Sequence, residues 1–178
     1  MDLAPQAVIL SAATETALRA QAERLCNWID AQADTASGLL ARIAVTLQDG
    51  RDAMAHRLAV VAEDVAQLTE TLWAWLARQP APAGLGLWTG HIQGKPSFLR
   101  ASDLSVLQAG WAKDRDLPRA CAAWAEGLAI DWPAFRLMPQ RKLALPTYPF
   151  DCKPYWVLPM ANAVPQPVAA PVTTVATV

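Results

Sequence analysis

Gly90-His91-Ile92-Gln93-Gly94 has the outline of a nucleophile elbow, the sharp turn that lifts an attacking hydroxyl beside an oxyanion hole. Ile92 takes the place of the serine, so no oxygen is available to form an acyl-enzyme. With Lys95 the same residues approach a phosphate-binding loop, but the spacing is one residue short, and Pro96 stands where a serine or threonine must reach magnesium. Ser102-Asp103-Leu104-Ser105 contains the residue types of a carrier-protein attachment site in the wrong order, because the phosphopantetheine serine of such a site directly follows the aspartate and precedes the leucine. The expected role of Ser102 is to cap a helix. Cys121 lies among small residues in Arg119-Ala120-Cys121-Ala122-Ala123 with no histidine beside it, and His56 and His91 are the chain's two candidate bases. Cys121 therefore reads as a core thiol and His56 as a satisfied structural histidine.

Composition bounds the remaining chemistry. The 178 residues suit one domain able to bury roughly 70% of its unfolded surface. Hydrophobic residues at 53% against 17% charged, with eight tryptophans, exceed what a free-standing domain needs and point to a partner surface. Most tryptophans should fill the core, with Trp156 and Trp88 as interface candidates. A net charge of −1 without a basic cluster excludes an electrostatic footprint for nucleic acid. No signal peptide and no long apolar run is present, so neither a membrane nor export is expected, and the location should be cytoplasmic. Cys26, Cys121 and Cys152 fit neither a disulfide framework nor a zinc pattern and read as reduced thiols. No catalytic residue, cofactor site or metal site is expected.

The elements follow from pattern. Ala7 to Ala12 alternates poorly but is short and apolar, as a strand buried on both faces would be. Thr14 caps a helix with Glu15 in its first turn, and Leu18, Ala22, Leu25 and Ile29 recur on one face. Leu39, Leu40, Ile43, Ala44 and Leu47 mark a second helix that stops at Gly50, a residue free to take positive φ. His56 to Ala62 reads as a strand, Asp64 with Gln67 as a capping box, and Val65, Leu68, Leu72, Trp75 and Leu76 as the face of a third helix. Leu85 to Ile92 supplies a third strand, with further helices at Ser102 to Trp111 and Pro118 to Leu128. The predicted class is α/β of the α+β type, a small three-stranded sheet packed with helices.

Leu145-Pro146-Thr147-Tyr148-Pro149-Phe150, followed by Tyr155-Trp156, is an aromatic strap. Each proline fixes its own φ and pushes the residue before it toward extended geometry, so Leu145 and Tyr148 cannot coil. From Val157 the sequence is Pro, Ala, Val and Thr, a disordered tail or linker. This strap resembles the segment that closes the ketosynthase-associated linker of modular polyketide synthases. Val8-Ile9-Leu10-Ser11-Ala12 with the helix from Thr14 resembles that linker's opening. Val45 to Leu58, including Gly50-Arg51-Asp52-Ala53-Met54, is similar to its central helix, turn and second strand, and Ile130-Asp131-Trp132 matches its Asp-Trp turn. The resemblance covers roughly residues 7 to 156, in the family's order.

What the resemblance implies is a non-catalytic ketosynthase flanking subdomain of a trans-acyltransferase polyketide synthase, with a place in secondary metabolism and antibiotic biosynthesis. Residues 1–6 would be a leader, 7–130 the core, 131–156 the turn and strap, and 157–178 a linker. The interval from Glu63 to Ile130 is too short for an inserted acyltransferase, which implies a separate one. Expected partners are a ketosynthase, a discrete acyltransferase docked on this platform, and neighbouring synthase chains. Leu145, Pro146, Thr147, Tyr148, Pro149, Phe150, Tyr155 and Trp156 would form the partner interface. Gly50, Arg51, His56, Arg57 and Trp132 would be structural, the arginines packing their stems and bonding backbone carbonyls. The ketosynthase itself is missing from the sequence, which reads as an excised piece or the start of a split module. The alternative class is a small acyl-binding protein or enzyme with a tryptophan-lined pocket.

Overall fold

The computed structural model describes residues 4–32, 38–80, 86–93 and 101–149, without the side chains of 101–103. In chain order the elements are β1 (Gln6–Ala12), α1 (Glu15–Asp30), α2 (Leu39–Asp49), β2 (His56–Ala62), α3 (Val65–Leu76), β3 (Gly86–His91), α4 (Ala101–Asp114) and α5 (Leu117–Ala125), then a 3-10 turn at Trp132–Phe135. The three strands form one antiparallel sheet in the order β1-β2-β3, with Leu10 opposite Leu58 and Val60 opposite Leu87. This is the mixed α+β class that the patterning predicts.

Strand side chains alternate between faces, and here both faces are covered. Val8, Leu10 and Ala12 from β1 join Leu58, Val60 and Ala62 from β2 in a core shared with α1, α2 and α3. Ala7, Ile9 and Ala59 point the other way, onto Leu117, Ala120, Cys121 and Trp124 of α5 and onto Trp132 and Phe135. A strand serving two cores has no solvated face, which is why Ala7 to Ala12 is apolar but for Ser11, whose buried hydroxyl bonds the Asp52 carbonyl and the Met54 amide.

The helix termini follow local chemistry. Thr14 Oγ1 accepts from the Ala17 amide at 3.1 Å, and Asp116 Oδ1 from the Arg119 amide at 3.1 Å. Asp64 Oδ1 accepts from the Gln67 amide at 2.8 Å, while Gln67 Oε1 reaches past the cap to the Glu63 amide at 2.9 Å, a box displaced by one residue. α5 ends three residues before the predicted limit because Gly127, at φ 108°, turns the chain and lets the Leu128 amide bond back to the Ala123 carbonyl. Ser102 lies inside α4 rather than before it, so the expected cap is corrected.

Two glycines are required by space. Gly50 sits at φ −104°, not in the positive region its position suggested; a Cβ there would stand 2.6 Å from the Thr46 carbonyl oxygen. Gly90 lets β3 pass directly against the end of α5, where a Cβ would collide with the Ala125 carbonyl oxygen. Gly110, by contrast, has open space around its Cβ position in α4. Gly90→Ala is expected to lower unfolding stability by about 1–3 kcal/mol through overpacking against backbone. Gly110→Ala should raise it by about 0.5–1 kcal/mol as mid-helix Gly gives way to Ala. Urea unfolding of both variants reads the opposite signs.

Candidate functional site

The residues singled out by sequence fall into two groups in space, a strap with its cradle and a buried arginine under α5. The cradle is made by α1, α2 and the turn after α2. The Leu143 amide donates to Thr46 Oγ1 at 2.8 Å, and that hydroxyl in turn donates to the Arg42 carbonyl at 2.7 Å. Arg51 Nη2 donates to the Pro146 carbonyl, and the Ala13 amide donates to Tyr148 Oη at 3.0 Å. Proline leaves its carbonyl as its only backbone polar group, so an arginine beside the strap answers what the chain itself cannot.

Leu143, Leu145 and Tyr148 pack their apolar surface on the core formed by α1, α2 and α3, and Pro149 is buried. The described half of the strap therefore lies on this chain's own body, while Thr147 remains exposed. Phe150, Tyr155 and Trp156, the remaining interface candidates, lie outside the described residues, as does Cys152.

An ion cluster fixes the strap's root. Arg136 grips both carboxylate oxygens of Asp49 at the end of α2, with Nη1 donating to Oδ2 at 2.9 Å and Nη2 to Oδ1, and Lys142 Nζ stands 4.0 Å from Oδ2. The Arg136 hydrogen bonds hold the Asp49 carboxyl below its ordinary value, with the Arg136 and Lys142 charges acting in the same direction. Beside this cluster the side chains of Leu137 and Met138 are 59% and 60% exposed. Sequence reasoning missed them, since apolar residues flanked by arginine and proline carry no periodicity.

Arg57, the second residue of β2, is only 9% exposed. Its Nη1 donates to the Trp124 carbonyl at 2.7 Å and the Leu128 carbonyl at 3.5 Å, its Nε to the Met54 carbonyl at 3.1 Å, and the guanidinium lies 5.0 Å from the centroid of the Trp124 ring. A cation at a helix C-terminus meets the orphaned carbonyls and the negative end of the dipole. Burial pushes the Arg57 pKa down, yet a guanidinium keeps its proton in such a setting. Near Arg57 is a cavity of about 220 Å³, bordered by Trp124, Trp132, Arg51 and Gln21. Pockets for drug-sized ligands usually exceed about 300 Å³.

The other candidates resolve as follows. His56 stacks on His91, with ring centroids 4.0 Å apart. Cys26 and Cys121 are free and fully enclosed, and burial pushes each thiol up to about 12, so neither supplies a thiolate. Trp88 packs on the second core, and Trp73, at 38% exposure, is the open tryptophan among the described residues. Gly90-His91 ends β3 as strand, with no strand-to-helix elbow among the described residues. No described cluster of three or more His, Cys, Asp or Glu could hold a metal, and no described helix is long and apolar enough to cross a membrane.

Comparison with known proteins gives this arrangement a context. Residues 9–79 match the model of a RhiE-like, KS-MAT linker domain. The chain is 33% identical over 156 residues to polyketide synthase PksL of Bacillus subtilis, a match covering 86% of this chain and 3% of that protein. Polyketide synthase ThaG of Burkholderia thailandensis is 33% identical over 162 residues, covering 86% and 3% respectively. Among solved structures, the ketosynthase from module 6 of the Bacillus subtilis bacillaene synthase superposes with a TM-score of 0.74 at 31% identity, over 85% of this chain and 27% of that one. The module 1 ketosynthase of the Bacillus amyloliquefaciens bacillaene synthase gives 0.74 at 30%, over 88% and 27%. The chain thus spans a few per cent of its curated relatives and about a quarter of each of these ketosynthase structures.

Two outcomes test the geometry. Because the folded carboxyl of Asp49 is lowered from 3.8, its contribution is present above about pH 4 and lost as pH falls through the folded value. Asp49→Asn should cost ~0.2–1 kcal/mol at pH 7 and flatten the acid limb of a stability-against-pH curve, a modest effect for a partly exposed pair. Arg57→Met, which removes the guanidinium donors from the Met54 and Leu128 carbonyls and one of two donors from that of Trp124, should cost about 1–3 kcal/mol in chemical unfolding.

Proposed function

Since the chain belongs to the RhiE-like KS-MAT linker family of polyketide synthases, we propose that it is a non-catalytic flanking scaffold that packs beside a ketosynthase and docks a discrete acyltransferase. The observation that carries this reading is the superposition on ketosynthase structures, of which the chain covers about a quarter at a TM-score of 0.74. The interval from Glu63 to Ile130 supports a separately supplied acyltransferase, because its described residues are taken up by β3 in the sheet, α3 and α5 packed on it, and α4 packed on α5. A cytoplasmic location and a role in secondary metabolism follow from the same reading.

In this scaffold Leu145 and Tyr148 hold the strap to its own domain, and Pro146, Thr147 and Pro149 keep it extended. Phe150, Tyr155 and Trp156 are then the anchors offered to the ketosynthase, as large aromatic side chains at the centre of an interface carry most of its energy. Lateral contact with neighbouring synthase chains is a further use of the same scaffold.

Calorimetric titration of the full chain against a ketosynthase lacking its own flank, and separately against a discrete acyltransferase, tests both halves of the proposal. Saturable binding to each is expected, with Phe150→Ala and Trp156→Ala weakening the ketosynthase complex roughly tenfold or more and leaving acyltransferase binding unchanged. Absence of acyltransferase binding overturns the docking platform, and absence of ketosynthase binding overturns the flank.

A further inference from the structure

The 220 Å³ cavity beside Arg57 is bordered by two cations, Arg51 and Arg57, and by no described carboxylate. Neither arginine is ion-paired among the described residues, whose salt bridges belong to Arg119, Arg136 and Lys142. Burial lowers the Arg57 pKa, and no opposite charge acts to restore it. Carbonyls take Nε and Nη1 of Arg57 and Nη2 of Arg51. Nη2 of Arg57 and the Nε and Nη1 of Arg51 have no hydrogen-bond partner among the described residues.

A third polar group on the same wall is unanswered. Gln21 of α1 is 6% exposed and borders the cavity, and its Oε1 is buried with no hydrogen-bond partner. The remaining polar side chains there are engaged. Ser11 Oγ donates to the Asp52 carbonyl at 3.1 Å and accepts from the Met54 amide at 3.1 Å, while Gln48 Nε2 donates to the Ala7 carbonyl at 2.7 Å and its Oε1 accepts from Arg136 at 3.4 Å. A buried acceptor without a donor is costly, so its persistence calls for an occupant that supplies one. Trp124 and Trp132 give the cavity an apolar wall.

We propose that this cavity binds a small hydroxy carboxylate, with the carboxylate against the Arg51 and Arg57 guanidiniums, the hydroxyl donating to Gln21 Oε1 and the short carbon chain on the two indoles. The site goes beyond the scaffold function and does not depend on it. A guanidinium fork matches a carboxylate in shape and charge, and the pairing strengthens where water is scarce. Each simpler occupant leaves one requirement unmet. Water or a neutral alcohol answers Gln21 and leaves the cations without an anion, whereas a plain acid answers the cations and leaves Gln21 without a donor. The volume, below that of drug-sized pockets, suits a short-chain acid.

A nitrogen-edited NMR titration of the full chain with β-hydroxybutyrate at constant ionic strength, observing the tryptophan indole N–H groups, tests the site. Saturable shifts are expected at Trp124 and Trp132, with butyrate, which lacks the hydroxyl, and β-hydroxybutyramide, which lacks the charge, each binding roughly tenfold more weakly. Gln21→Leu removes the acceptor without altering a charge, so it should melt at or above the parent and bind β-hydroxybutyrate and butyrate alike. The analogue series in the parent stands whether or not that variant folds. Absence of a saturable shift, which means a cavity filled by water, overturns the proposal. Binding of either analogue as tightly as β-hydroxybutyrate, or a hydroxyl preference that survives in Gln21→Leu, overturns it as well.

Discussion

The guanidinium of Arg57 rests under the last turn of α5, surrounded by three backbone carbonyls and the face of Trp124. Much of the fold depends on that contact. A cation taken to 9% exposure loses most of its hydration and persists only where its donors find acceptors. Carbonyls at a helix C-terminus are such acceptors, and although the Trp124 carbonyl also accepts from the Gly127 amide, one side chain of the central strand adds a charged donor to the end of α5 and fixes where it lands. Gly90 completes the fit, since the neighbouring strand comes so close to the Ala125 carbonyl that no side chain can intervene. With α5 seated, Ala7, Ile9 and Ala59 are closed off from water and the sheet acquires its second core.

The strap is built on the other side of the sheet by a different logic. Helices α1 and α2 close the first core, and residues 141–149 run across them as an extended chain that makes little backbone pairing of its own, the Leu145 amide to the Leu143 carbonyl at 3.1 Å. Side chains from below take up that role: Thr46, Arg51 and Arg42 meet successive strap groups, and the Asp49–Arg136 pair holds its root. The result is a segment positioned by hydrogen bonds along its described length.

Much of this was legible in the sequence. β1 and β2 were readable because unbroken apolar runs bounded by turn residues leave little else to choose, and Thr14 and Asp64 because a cap is a local matter of one side chain and one amide. What was not legible depends on approach between distant residues. Gly50 looked like a positive-φ helix end and proved to be a close-packing requirement against Thr46. Gly90 looked like part of a failed catalytic loop, and its purpose lies across the sheet at Ala125. Trp88 looked free and is packed, while Trp73 is open, because the exposed face of a helix of mixed polarity is not set by its sequence alone. Composition identified an apolar strap but could not show that Leu145 and Tyr148 pack on the domain's own core.

Cys26 and Cys121 stand one in each core, on opposite sides of the sheet, each wholly enclosed with its thiol pushed up to about 12. Nucleophilic sulfur requires the thiolate, so electrophiles and oxidants that reach the native surface find neither. The two layers of this fold thereby carry separate built-in reporters of their own opening. Alkylation at Cys26 records loss of the helical layer that cradles the strap, alkylation at Cys121 records release of α5, and the order in which the two appear under mild denaturant tells which layer lets go first.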